Sequence, residues 1–172
     1  MPMGSLGKVY AIYDSPFWRE DGLSGKAMGL QGATVQTTFD SSPEDGSFGA
    51  IIGFLEADEM RRLDTASEEE IQSLVLKDYV NFFGPRAREV KEWVIQRWDN
   101  EEYSRGGHFA VSPPNTMTRF GSALAQPVGR LFFAGTEASP YWAGFMDGAV
   151  RAGEMAADAV LDHETGTVVS RL

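Results

Sequence analysis

Cysteine is absent from the 172 residues. That excludes disulfides, thiolate zinc sites, thiol nucleophiles and iron–sulfur clusters. Histidine is scarce: His108 and His163 stand far apart, so no metal site is expected. Positive charge is also short. Lys and Arg number 15 against 25 Asp and Glu, a net charge of −10. That leaves no cationic face for phosphates and argues against a nucleic-acid partner. No stretch is long and apolar enough to cross a bilayer. The opening MPMGSLGKVY lacks the regions of a secretory signal, so a cytoplasmic setting is the default. What remains is 42% hydrophobic and 12% aromatic, enough to bury a real core in one domain or two small lobes.

Charge divides the chain. Residues 1–55 carry a net −3, 56–103 a net −6 and 104–172 a net −1. The middle is the most solvated third, whereas the glycine-rich last third reads as packed against something. Strands are expected at 8–13, 26–31, 34–39, 48–56 and 90–98 from β-branched and aromatic content bounded by turn residues. A short helix is expected at 56–63. A longer one at 67–83 opens on the Ser67–Glu70 capping box, carries Ile71, Leu74, Val75, Tyr79, Phe82 and Phe83 on one face, and stops at Gly84-Pro85. Residues 131–135, LFFAG, read as an apolar strand, and the last helix as running from about Trp142 to Leu161.

The features that bear on chemistry lie late in the chain. Gly144, Gly148, Ala152 and Ala156 are spaced by four and form a smooth stripe, widened by Ala149 and Gly153. Two readings stand: close helix–sheet packing, or a ligand across the helix start, where the N–H groups of Gly144, Phe145 and Met146 would face an electron-rich atom. Gly135-Thr136 after an apolar strand suits a ligand beyond a strand end, or simply a tight turn. Trp98, Phe109, Tyr141, Trp142 and Phe145 crowd the same region. Two opposed rings would suit a small apolar amine or a planar cofactor; such rings also serve as core.

Three stretches resemble the flavin-containing amine oxidases, the monoamine oxidase-like family: MPMGSLGKVYAIYDSPFWRE, RWDNEEYSRGGHFAVSPPNTMTRFGSALAQPVGRLFFAGTEAS and YWAGFMDGAVRAGEMAA. The likeness runs in order over most of residues 1–161. It implies an α+β / α/β fold: a mixed β-sheet substrate-domain portion with helices over 1–103, a C-terminal strand–loop–helix piece of an FAD-binding Rossmann-like domain over 104–161, and a flexible tail over 162–172. It implies an oxidoreductase that deaminates a primary amine or polyamine by hydride transfer to flavin N5, with O2 reoxidation to H2O2. By motif position, Lys8 resembles the lysine that holds a water against N5. Phe109 and Phe145 resemble the aromatic cage. Trp98, Gly135, Thr136, Gly144 and Met146 resemble cofactor contacts. Lys8 in an apolar strand would be costly if buried alone; water and N5 would supply a partner, and a solvated edge lysine is the plain alternative.

The sequence also departs from that family. It contains no G-x-G-x-x-G turn to hold a dinucleotide pyrophosphate. His108 stands where some members carry a flavin-linked cysteine, so FAD is expected to be non-covalent. The chain reads as the C-terminal portion of a longer enzyme, partnered by the missing N-terminal FAD-binding segment. Alone it is expected to bind FAD weakly and to be inactive. A non-catalytic binding or assembly module, dimeric through its exposed sheet, is the competing reading. A desaturase or porphyrinogen-type oxidase is a third, disfavoured by Lys8 and the Phe109/Phe145 pair.

Overall fold

The computed structural model describes residues 2–30, 32–107 and 109–166. The chain divides into two compact units, Pro2–Ala110 and Val111–Leu172. Residues 104–110 fall in the first because they bond back to its opening segment: Gly107 N–H donates to Gly4 O at 2.9 Å, and Gly4 N–H to Phe109 O at 3.0 Å.

The first unit is a five-stranded sheet with two helices. Strands β1 (Leu6–Tyr13), β2 (Ala27–Met28), β3 (Thr37–Asp40), β4 (Gly49–Glu56) and β5 (Glu92–Arg97) lie in the order β2-β3-β4-β1-β5. All four pairings are antiparallel, so the unit is α+β. Helices α1 (Ala57–Arg62) and α2 (Glu68–Phe83) supply the apolar side chains that meet one sheet face. Period-two alternation sends Val9, Ala11 and Tyr13 of β1 into that core with Ile51 and Leu55 of β4 and Ile71, Val75, Tyr79 and Phe83 of α2. Ser67 caps α2, its hydroxyl accepting from Glu70 N–H at 3.2 Å. Tyr79 donates its hydroxyl to Val9 O at 3.1 Å. It reaches that carbonyl over Gly53, where a Cβ would sit 2.5 Å from the phenol oxygen.

Two expected strands shorten. Instead of 26–31 and 34–39, pairing covers only Ala27–Met28 and Thr37–Asp40. The buried carboxylate of Asp78 takes the Thr34 and Val35 N–H groups at 2.7 and 2.9 Å, leaving them nothing to give a ladder.

Asp40 closes the far end of this core. It accepts from the Trp18 indole at 2.9 Å, from Arg19 Nε at 2.7 Å and from Ser42 N–H at 2.9 Å. Burial raises its pKa, but the hydrogen bonds from Arg19, Ser42 and Trp18 together outweigh burial and hold it well below the usual carboxylate range. The unfolded value is about 3.9. The stabilisation is therefore complete above that value and is lost as pH falls through the lower folded one. Asp40→Asn should cost about 1.5 kcal/mol at neutral pH, since the Arg19 arm is half-exposed and contributes little. In urea unfolding the gap to the parent should hold from pH 7 to about 5 and narrow progressively below about pH 4, as pH falls toward the lower folded value.

The second unit holds α3 (Thr116–Phe120) and α4 (Met146–Thr165), with single 3₁₀ turns at Gly121–Ala125 and Thr136–Ala138. Three sequence expectations fail here. Residues 131–135 form no strand: Leu131 pairs only in an isolated bridge with Val128, and the described residues of this unit include no strand to pair with. Leu131 and Phe133 stay exposed. The last helix begins at Met146 rather than Trp142, because Trp142 and Gly144 take left-handed φ of 55° and 87°. It also continues to Thr165, so 162–165 are helical rather than tail; residues 167–172 lie outside the described ones.

Candidate functional site

Lys8 sits on β1, which lies between β4 and β5, so it is not an edge lysine. Its neighbours across the ladder are Phe54 and Gln96. Even-numbered β1 residues face away from the helices, and Lys8, Tyr10 and Ile12 are half-buried there. The ammonium finds two rings, with Nζ 5.4 Å from the Phe54 centroid and 5.9 Å from that of Trp98. Among the described residues no carboxylate comes within ion-pair distance of it. Cation–π attraction at such sites contributes about 0.5–2 kcal/mol, enough to orient a lysine without neutralising its charge. The structure thus brings Lys8 and Trp98 together. Phe54, which the sequence reading missed, joins them through the strand register. Phe109, half-exposed, is fixed in the same unit by its carbonyl bond to Gly4. His108 lies outside the described residues.

The other predicted residues cluster in the second unit. Thr136 accepts the Gly144 N–H on its hydroxyl at 2.8 Å and donates that hydroxyl to Phe145 O at 3.1 Å. One side chain thereby binds the turn after Gly135 to the start of α4. No side chain caps that helix start. Tyr141, Trp142, Phe145 and Met146 around it are all more than 60% exposed, and the Trp142 and Phe145 rings meet edge to face at 5.9 Å. The small-residue stripe divides. Gly148 and Ala152 are buried, whereas Gly153 faces open space. Ala152 and Ala156 line a cavity of about 410 Å³ with Phe132, Phe133 and Met155.

The fit to a flavin can be read from these donors. Of the three N–H groups expected to face a ligand, those of Gly144 and Phe145 are taken by the Thr136 hydroxyl and the Trp142 carbonyl, which leaves Met146 at an uncapped helix start beside exposed aromatic faces as the group suited to the electron-rich edge of a planar ring. Among the described residues nothing resembles a diphosphate cradle, and the sequence carries no G-x-G-x-x-G. Among the described residues no group of three His, Asp or Glu is placed to hold a metal, and no helix is long and apolar enough to cross a membrane.

The chain belongs to the family of flavin containing amine oxidoreductases, which it matches over residues 1–161. It is 41% identical over 165 residues to amine oxidase [flavin-containing] B of Cavia porcellus, covering 94% of this chain and 32% of that protein. It is 41% identical over 162 residues to an L-amino acid dehydrogenase of Synechocystis sp., covering 94% and 34%. Among solved structures it is similar to cyclohexylamine oxidase from Brevibacterium oxydans, with a TM-score of 0.89 at 35% identity over 95% of this chain and 36% of that one. It is also similar to a putrescine oxidase bound to putrescine, with a TM-score of 0.82 at 30% identity. The chain spans about a third of the length of these relatives.

Proposed function

We propose that this chain contributes to FAD-dependent oxidation of a small amine, a primary amine or polyamine of the kind that cyclohexylamine and putrescine oxidases are named for. The observation that carries the reading is the Lys8 ammonium held over Trp98 and Phe54 on an inner strand, in a chain of this family. FAD, when bound, supplies the redox step, taking hydride from the amine carbon and delivering the electrons to dioxygen as hydrogen peroxide. The chain's own residues do the rest. Lys8 would hold a water at the flavin's reactive nitrogen. Trp98 would support the ring system. In the second unit Gly135, Thr136 and Met146 would offer backbone groups to its electron-rich edge, while Gly144, whose N–H is held by the Thr136 hydroxyl, would shape the turn beside them. Phe109 in the first unit and Phe145 in the second would each offer an apolar ring to an amine that reacts in its neutral form.

A chain with ring contacts and no diphosphate cradle should take up flavins weakly and without regard to the nucleotide. Titrations followed by flavin fluorescence should give riboflavin and FAD alike, weak affinities, with no competition from ADP. FAD binding far tighter than riboflavin would reveal a diphosphate site and overturn this account of the cofactor contacts. Failure of both to bind would favour the alternative, a non-catalytic binding or assembly module on the same fold.

A further inference from the structure

The indole N–H of Trp98 is buried with no acceptor among the described residues. A tryptophan whose polar end is unanchored keeps its ring where backbone and packing put it, so the residues that fix its backbone decide where the ring lies. On one side is Arg97, whose guanidinium donates to the carbonyls of Leu63, Asp64 and Ala66 in the link between α1 and α2. On the other is Asp99. Its carboxylate accepts from the Ser5 hydroxyl at 2.5 Å and from Leu6 N–H at 3.4 Å, across 94 and 93 residues of sequence.

Those two partners lie just before Lys8, Ser5 ahead of β1 and Leu6 at its first position, with Gly7 between Leu6 and Lys8. The turn that follows Asp99 closes over it: Gly106 N–H donates to Trp98 O at 2.8 Å. Gly106 has φ of 129°, and a Cβ there would lie 3.3 Å from the Asp99 carboxylate and 2.4 Å from Gly4 O. The carboxylate is thus the side-chain tie between the segment that carries Trp98 and the segment that carries Lys8. A charged acceptor makes such a tie stronger than a neutral one.

We propose that Asp99 is the positioning residue of the lysine–tryptophan pair: by clasping Ser5 and Leu6 it holds the Trp98 ring over the Lys8 ammonium. This rests on the reading that Lys8 and Trp98 serve flavin chemistry. It adds a residue that itself touches neither cofactor nor substrate.

The test reads the pair directly. The sequence has four lysines, at 8, 26, 77 and 91. In the full chain labelled with [13C]lysine, the Lys8 side-chain signal, assigned by its loss in Lys8→Arg, should be displaced upfield by the two rings. In Asp99→Ala it should lose at least half of that displacement while the Lys77 and Lys91 signals stay in place. Asp99→Asn, which keeps an oxygen for Ser5, should retain most of it. An unmoved Lys8 signal in Asp99→Ala would overturn the proposal, since a residue serving only the turn would leave the ammonium's surroundings alone. If Asp99→Ala fails to fold, Ser5→Ala decides: it removes the donor and leaves the carboxylate, and an undisplaced Lys8 signal there supports the clasp while an unchanged one refutes it. The readout needs neither flavin nor amine, so the clasp and the flavin reading fail separately.

Discussion

Trp18→Ala is expected to remove about 4 kcal/mol of stability from the Pro2–Ala110 unit. The side chain is fully buried. It lies in a ring cluster with Phe17 at 5.1 Å, Tyr13 at 5.7 Å and Phe83 at 6.2 Å between centroids. Truncation removes the transfer free energy of an indole and leaves a cavity those rings cannot fill without leaving their edge-to-face contacts. It also strips one donor from Asp40, although Arg19 and Ser42 remain. Domains are stable by only about 5–15 kcal/mol, so the loss is a large fraction of the total. Urea unfolding followed by far-ultraviolet circular dichroism should show a lower midpoint with the slope preserved. Trp18→Phe keeps a ring and should recover roughly half of the loss. A midpoint shift under about 1 kcal/mol for the alanine variant would mean that the cluster is not what holds this end of the sheet.

The sequence carried what local physics decides. Ser67, Glu70 and a helical apolar face announced α2, and the apolar runs of β1 and β4 announced central strands. Long-range partnerships were not legible. Asp78, in the middle of α2, draws in the N–H groups of Thr34 and Val35, and nothing near either residue signals it. The run at 131–135 has the composition of a buried strand, but a strand exists only when a neighbour bonds to it, which composition does not report. The start of α4 was misplaced for a related reason: Thr136, eight residues before Gly144, takes that N–H and holds the turn out of the helix.

The candidate site divides in the same way. A lysine in an apolar strand signalled the need for a partner. That its partners are Phe54 and Trp98 follows from two registers, β1 on β4, which sets Lys8 against Phe54, and β1 on β5, which brings the residues just before Trp98 alongside; both are knowable only once the strands are paired. Asp99 gave no local sign, because Ser5 and Leu6 lie more than ninety residues away.

Two glycines five residues apart on α4 should respond to alanine with opposite signs. Gly153 is mid-helix, with nothing within 4 Å of where a Cβ would sit. Alanine there changes only backbone entropy and propensity, and should stabilise the second unit by about 0.5–1 kcal/mol. Gly148 gains the same propensity but meets atoms. A Cβ would lie 2.2 Å from the Trp142 carbonyl oxygen, 2.7 Å from its carbon and 2.8 Å from the Thr136 hydroxyl. Two of these are backbone, so relief requires the turn before α4 to move. Overpacking of this kind costs about 1–3 kcal/mol, which exceeds the propensity gain. The displaced atoms include the hydroxyl that binds Gly144 and Phe145, so the damage falls on the proposed cofactor contacts. Hydrogen exchange should show the Gly144 amide losing protection in Gly148→Ala by tenfold or more, about 1.4 kcal/mol, while Gly153→Ala leaves it unchanged or slower. Equal behaviour of the two variants would mean that the stripe is a matter of helix propensity alone. Opposite behaviour would make Gly148 the point where α4 and the Thr136 turn are built to touch, and would tie the first of the helix's two glycines to the geometry of the proposed cofactor contacts.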